Sequence, residues 1–397
     1  MHMLQNQIQN DRRNRFISLI FIALLTVGLM FPTSSGSIIS ENIYKVTPVL
    51  FGLFLCVLIP MVNKIKFHFV ASFIIINAFL WLVTFFRHPA VVDYGTSILI
   101  AMFTLMFCIN FKKIDAKRSV FICFNIVTVT AIAIAWAMVF KLQQVANFFI
   151  NHYNDFYPEL VPLMLKLGKP VLVFGTHSVA AFYMFIFFYL NIKTYETSGK
   201  KRYYVFAINF LVFCYLMNSN TGIIFLVLGV LYLIYKSEKK LLWMIAFSLG
   251  LAYILYSGSF NFREFFIIFD PSKSGNGLLG RYSGHGNLQS SLNYIFDNPL
   301  SAMGYSADFY DKLTFHDSGL ISIILRGTLV FAILFYCSLF LFFRINMNNK
   351  LEGLLMFVVF FMFEIGFNNL FYFRTLFILP FIILYLNYLE KKKIEPF

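Results

Sequence analysis

The chain has 397 residues, of which 59% are hydrophobic and only 13% are charged. This composition excludes an ordinary soluble globular protein and is typical of a polytopic membrane protein. The formal charge of +14 reflects 32 lysine and arginine residues against 18 acidic ones. Because no soluble basic domain stands apart from the apolar segments, this charge does not indicate a nucleic-acid partner.

Apolar runs recur along the whole chain, and a transmembrane helix needs roughly 20 mostly apolar residues. We predict about twelve such helices, at 16–31, 46–62, 67–86, 95–111, 119–140, 171–191, 203–217, 222–235, 241–257, 318–343, 351–367 and 371–389. The shortest run, 222–235, crosses a membrane only if its flanks contribute. The predicted fold class is therefore an all-α polytopic membrane protein.

The positions of lysine and arginine predict the orientation, because these residues are retained on the cytoplasmic side during insertion. Most of them fall in alternate connections, at 12–15, 64–66, 112–118, 193–202, 236–240, 344–350 and 391–393. Both termini are therefore predicted to be cytoplasmic.

Three parts of the chain follow from this topology. Residues 1–257 hold helices one to nine with a smaller external loop at 141–170, residues 258–316 form one large external loop, and residues 317–397 hold the last three helices. Within the large loop, "NLQSSLNYIF" predicts a short amphipathic helix that ends near Asn298.

Three arginines lie on the external side, against the insertion bias. Arg87 is on a short external loop, and Arg263 and Arg281 are in the large loop. Arginine is always protonated, and its planar fork binds phosphate or pyrophosphate through two parallel hydrogen bonds. The alternative is that each arginine reaches the lipid headgroups from the membrane interface.

Arg326 lies inside the tenth predicted helix, about 12 Å below its outer end if the helix starts near residue 318. Glu364 and Arg374 occupy comparable depths on the next two helices. We expect these three residues to share one polar cavity. They either form a salt bridge that locks the last three helices together or contribute to a ligand site.

A polar stretch, "FHDSG", stands directly before the tenth helix. His316 can act as a general base because the ordinary pKa of histidine is about 6.5. Asp317 can take that role instead or orient a sugar hydroxyl. The alternative for His316 is an interfacial residue at the mouth of a helix.

Two stretches of the sequence carry a resemblance to a known family. In the first stretch, nine residues separate Asp317 of the His316–Asp317 pair from Gly327, and Val330 follows three positions after that glycine. The second stretch lies upstream, and its sequence "GRYSGHGNLQSSLNYIFDNPLSAMGYS" contains Arg281, Asn298, Pro299 and Gly304. The layout resembles the O-antigen polymerase and O-antigen ligase superfamily of bacterial envelope glycosyltransferases. In ligase members, a His is followed directly by Asn, Ser or Gln. Nine residues of any type then precede a Gly, and two more residues separate that Gly from a Gly, Thr or Tyr. Asp317 and Val330 depart from that pattern.

A further similarity lies in "MNSNTGIIFL", which resembles a Ser-Arg-Thr-Gly stretch at the outer start of a helix in that family. Asn220 occupies the position of the arginine. We expect Arg87 or Arg263 to supply the missing phosphate contact.

The resemblance implies a GT-C-like membrane glycosyltransferase in the bacterial inner membrane, with its active site facing the periplasm. Its donor and acceptor would be undecaprenyl-pyrophosphate-linked oligosaccharides, and the activated lipid pyrophosphate would need no metal or other cofactor. The implied catalytic residues are His316 and Asp317. The expected pyrophosphate-binding residues are Arg281, Arg326, Arg87 and Arg263, and the supporting polar residues are Glu364, Arg374 and Asn220.

Three functions remain open on the sequence alone. The first is a repeat-unit polymerase, which Asp317 favours because the ligases carry an amide or hydroxyl there. The second is a ligase that transfers glycan to the lipid A core. The third is a lipid-linked oligosaccharide flippase or transporter, which the lack of a clear internal repeat disfavours. Expected partners are membrane lipid, a chain-length regulator and a flippase.

Overall fold

The computed structural model of the protein describes most of the helical part of the chain. The described residues are 16–17, 19–30, 49–56, 67–113, 117–145, 147–148, 160–171, 174, 176–257, 281–282, 288–308, 313, 318–368, 370 and 374–394. They form helices joined by turns, with one isolated antiparallel backbone bridge between Val92 and Ser306. The predicted all-α class is confirmed for this part of the chain.

Fourteen α-helices are numbered here in chain order. They are α1 (19–30), α2 (49–56), α3 (Phe67–Arg87), α4 (Tyr94–Phe107), α5 (Lys117–Val139), α6 (Leu160–Lys166), α7 (His177–Ser198), α8 (Lys201–Leu216), α9 (Asn220–Lys236), α10 (Lys240–Ser257), α11 (Gln289–Asp297), α12 (Gly319–Asn346), α13 (Lys350–Gly366) and α14 (Thr375–Ile394). A helix overlaps each of the twelve predicted apolar runs, and α11 is the predicted amphipathic helix.

Side-chain caps fix where several helices begin. The carboxylate of Asp93 accepts from the backbone N–H of Thr96 at the start of α4, and Ser318 accepts from that of Ile321 at the start of α12. Such caps satisfy amide groups that have no partner within the helix. The start of α7 differs from the prediction. The run begins at 171, but Thr176 is extended, so the helix starts only at His177.

Residues that the charge pattern assigned to the same side contact each other in four places, at helix ends and in the connections between helices. At one end, Arg87 contacts Ser301, and Lys169 contacts Asn218. At the opposite end, Lys193 pairs with Glu352 at 3.0 Å, and Lys236 pairs with Glu196 at 3.1 Å. We call the end that holds Arg87 and Ser301 the outer end and the other the inner end, after the predicted orientation.

Helix α7 lies in the centre of the bundle. Residues 179–192 are buried on every face of the helix, as expected for an element apolar all round. Phe182 stacks on Phe363 of α13 with ring centroids 4.4 Å apart. Helix α14 is buried in the same way, and its Tyr385 stacks on Phe124 of α5 at 4.1 Å. Aromatic packing therefore positions the helices that carry the outer-end residues.

Two helices in the described residues are long and apolar enough to cross a membrane, by length and composition alone. They are Ser119–Val139, within α5, and Gly319–Asn346, which is α12. The twelve-span topology with both termini cytoplasmic stays a prediction.

Cysteine labelling tests that topology. In a background without the exposed thiols of Cys56 and Cys337, Asp297→Cys reports on the outer end and Glu238→Cys on the inner end. We expect a membrane-impermeant maleimide to label position 297 in intact cells and position 238 only after permeabilisation, because the bilayer separates the two ends in the predicted orientation. Equal labelling of both positions in intact cells would contradict the predicted orientation.

Candidate functional site

The outer end of α3 is clamped to residues 301–308. The guanidinium of Arg87 donates from Nε to the carbonyl of Ala302 and from Nη2 to the hydroxyl of Ser301, both at 2.7 Å. In return, the carboxylate of Asp308 accepts from the backbone amides of Ala90 and Val91. This geometry favours a structural role for Arg87 over the expected phosphate contact.

Arg326 forms a buried ion pair with Asp93. Its Nη2 lies 2.6 Å from Oδ2 of Asp93, and 1% of its surface is exposed. The Asp93 carboxylate also accepts from the backbone amide and the hydroxyl of Thr96, at 3.0 and 2.7 Å. Of the two roles considered for Arg326, the geometry favours the salt bridge. Its acidic partner lies on the α3–α4 connection, whereas the sequence pointed to the last three helices.

Helix α12 is broken directly after Arg326. Gly327 and Thr328 have non-helical dihedral angles, and Thr328 has φ +71°, ψ 174°. This region is sterically costly for a residue with a side chain. The break releases two carbonyl groups: Leu325 accepts from the amide of Met303 at 2.9 Å, and Arg326 accepts from that of Gly304 at 2.8 Å. The loop before α12 therefore completes the hydrogen bonds of the interrupted helix.

Residues 304–305 are packed tightly against α3. Gly304 has φ +59°, and a Cβ atom there would lie 2.5 Å from Oγ1 of Thr84. Only glycine adopts this conformation at no steric cost. The next residue, Tyr305, is fully buried, its amide donates to Thr84, and its hydroxyl bonds to Asn77. Tyr305 is therefore part of the packed interior.

The start of α12 is joined to Arg281 and Tyr282 of the large loop. The Tyr282 hydroxyl lies 2.8 Å from Oγ of Ser318 and donates to the carbonyl of Ile365 at 2.5 Å. Nη1 of Arg281 donates to the carbonyl of Gly366 at 3.0 Å. The end of α13 thus binds both Arg281 and Tyr282, and Tyr282 contacts Ser318 at the start of α12.

Glu364 is fully buried where α13 faces the start of α12. Its Oε1 accepts from the amide of Leu370 at 2.5 Å. A Cβ atom at residue 319 would overlap with the Glu364 carboxylate, so the two helices touch through Gly319. Glu364 therefore supports the start of α12.

Basic side chains gather around the start of α7. Phe174 lies between Lys169 and His177 in the sequence, and its ring is 4.5 Å from the guanidinium carbon of the buried Arg374. His177 interacts electrostatically with Lys169 and with Arg281. We call Lys169, His177, Arg281 and Arg374 the outer basic cluster. Arg281 and Arg374 were candidates from the sequence, whereas Lys169 and His177 were not.

Two predicted catalytic residues and one arginine lie outside the described residues. These are His316, Asp317 and Arg263. Asn220 is the first residue of α9, directly after the capping Ser219. Within the described residues, no group of three or more His, Cys, Asp or Glu side chains is arranged to hold a metal ion.

Sequence reasoning missed Asp93 as well as the two cluster residues. A cue for Asp93 was present, because an acidic residue directly before an apolar run is a typical helix cap. His177 had no such cue, because it lies inside the predicted run 171–191 and becomes the first residue of α7 only through the late start of that helix. A comparison with protein-family models, with curated proteins and with solved structures finds no match to this chain.

Proposed function

We propose that this protein is a membrane glycosyltransferase that polymerises repeat units carried on undecaprenyl pyrophosphate. The observation that carries the proposal is the contact between Tyr282 and Ser318. The two stretches that resemble the O-antigen polymerase and ligase superfamily are separated in sequence, and this contact joins them. Tyr282 directly follows Arg281 in the sequence, and Ser318 directly follows His316 and Asp317.

The chemistry of such a transfer needs a cation and a base on the same side of the protein. In the proposed reaction, an acceptor hydroxyl loses its proton to His316 or Asp317 and attacks the anomeric carbon of the donor sugar. The new glycosidic bond forms as the bond from that carbon to the pyrophosphate oxygen breaks. Arg281 would hold the negative charge that develops on the departing lipid pyrophosphate.

Hydrogen bonds between different elements hold the outer end together, which supports such positioning. Arg281 and Tyr282 are bonded to α13, and residues 301–308 are bonded to α3, to the cap of α4 and to α12. A site held by several packed helices keeps reacting groups aligned, which contributes a large share of catalysis. Placement of the whole protein in the bacterial inner membrane, with this end in the periplasm, is part of the same proposal.

The glycan profile of cells that lack the gene tests the proposal. We expect deletion to leave the lipid A core capped by a single repeat unit. Wild-type protein should restore long chains, whereas His316→Ala and Arg281→Ala should not, at matched protein levels. Arg344→Ala serves as the control because Arg344 is an exposed arginine at the inner end.

The same profile separates the competing functions. Uncapped core together with accumulated lipid-linked polymer would identify a ligase instead of a polymerase. Unchanged glycans after deletion would rule out both enzymes and leave transport as the leading account. Full activity of the Arg281→Ala variant would remove Arg281 from the mechanism.

A further inference from the structure

Lys169 is held in place at the outer end next to the start of α9. It follows α6, and its ammonium group donates to the carbonyl of Asn218 at 3.2 Å. Partial burial lowers the pKa of the Lys169 side chain. No carboxylate forms an ion pair with Lys169 or His177 within the described parts of the chain. A bound anion would therefore favour the charged form of this lysine.

His177 faces the same place from the first position of α7. Its Nδ1 atom is buried and has no hydrogen-bond partner among the described residues. A buried polar atom without a partner costs free energy, so such an atom is a frequent sign of a ligand or ordered water. His177 also interacts with the charges of Lys169 and Arg281, which places all three groups in one electrostatic neighbourhood.

Two helices begin at this cluster. Ser178 in the first turn of α7 and Thr221 in the first turn of α9 are 3.3 Å apart through their hydroxyl oxygens. The start of a helix carries a partial positive charge and exposes backbone amides. The two helix starts therefore add to the positive charge of the side chains.

We propose that Lys169, His177 and Arg281 form the seat for the pyrophosphate of the lipid-linked donor. This inference rests on the proposed function and names the residues that hold its substrate. Lys169 supplies a point charge, Arg281 a planar fork whose orientation the Gly366 carbonyl fixes, and His177 a nitrogen at the mouth of α7. Arg87 and Arg326 are not part of the seat. The guanidinium group of Arg87 binds Ser301 and Ala302, and that of Arg326 binds Gly304 and Asp93.

Binding of undecaprenyl pyrophosphate to the purified full-length protein in lipid nanodiscs tests the seat. We expect Lys169→Ala and His177→Gln each to weaken binding about tenfold or more, since each loses a contact to a charged group. Lys166→Ala is the matched control because Lys166 is an exposed lysine in the adjacent α6. Inorganic pyrophosphate should compete with the lipid for this seat, and undecaprenol should not.

A second measurement needs no variant and covers the case in which a substitution impairs folding. Undecaprenyl pyrophosphate should protect Lys169 of the wild-type protein from acylation by an amine-reactive reagent and leave Lys166 reactive. The seat would be overturned if the wild-type protein bound the lipid tightly but Lys169 were not protected from acylation. It would also be overturned if both variants bound the lipid as tightly as the wild type, and in either case the proposed function would still stand. A wild-type protein that does not bind the lipid pyrophosphate would overturn the donor assignment itself.

Discussion

Replacing Asp93 by serine is expected to lower the free energy of unfolding by about 3–5 kcal/mol, because it removes the carboxylate from the buried guanidinium of Arg326. The pair lies 2.6 Å apart with side chains that are 1% and 5% exposed. Serine also caps helices, so it retains the capping function of Asp93 at the start of α4. The loss therefore comes mainly from the buried guanidinium left without its carboxylate, with a smaller share from the lost bond to the Thr96 hydroxyl. Denaturant titration of the purified protein in mild detergent gives the value.

A double-mutant cycle with Arg326→Met isolates the coupling between the two residues. We expect the double variant to be more stable than Asp93→Ser alone, since no buried charge remains. Arg344→Met, at an exposed position, is the control for loss of an arginine. If Arg326→Met unfolded like the wild type but lost the proposed polymerase activity, Arg326 would belong to the ligand site and not to the framework.

Gly319→Ala is expected to destabilise the protein by roughly 2–6 kcal/mol, combining overpacking with loss of a buried hydrogen bond. A methyl group at this position overlaps with the Glu364 carboxylate. Moving that carboxylate breaks its bond to the Leu370 amide and shifts the start of α12. Ser318 caps this helix start and directly follows His316 and Asp317 in the sequence. We therefore also expect the proposed transfer activity to fall more steeply than stability.

Gly52→Ala is the matched control, because a Cβ atom at residue 52 of α2 meets no atom within 4 Å. Alanine has a higher helix propensity than glycine, so this change should be neutral or slightly stabilising. Equal thermal unfolding midpoints for the two alanine variants would show that α12 and α13 do not touch through Gly319.

The helices could be predicted from the sequence because long apolar runs fix both their existence and their approximate positions. Ser318 illustrates how the details follow, since a serine before "GLISII" is a typical helix cap and does cap α12. The short α11 was predicted from its apolar spacing in the same way. In each case the residues that indicate the structure are neighbours in the sequence, so no contact with a distant part of the chain is needed to predict it.

The contacts of the outer end could not be predicted, because they join residues far apart in the chain. Nothing near Arg326 identifies Asp93 as its partner, and nothing near Arg87 points to Ser301 and Ala302. The break in α12 was equally hidden. Glycine and threonine are common inside apolar helices, and only the amides of Met303 and Gly304 explain why the helix opens there.

The Asp93–Arg326 pair has a consequence for how the protein is made. The two residues are 233 positions apart, so a ribosome adding 5–20 residues per second synthesises the arginine roughly 12–47 s after the aspartate. During that interval the helices synthesised first lack the group that completes their outer end. A chain truncated before α12 should therefore be retained by chaperones or degraded, even though every helix that packs around Asp93 from the N-terminal side is present.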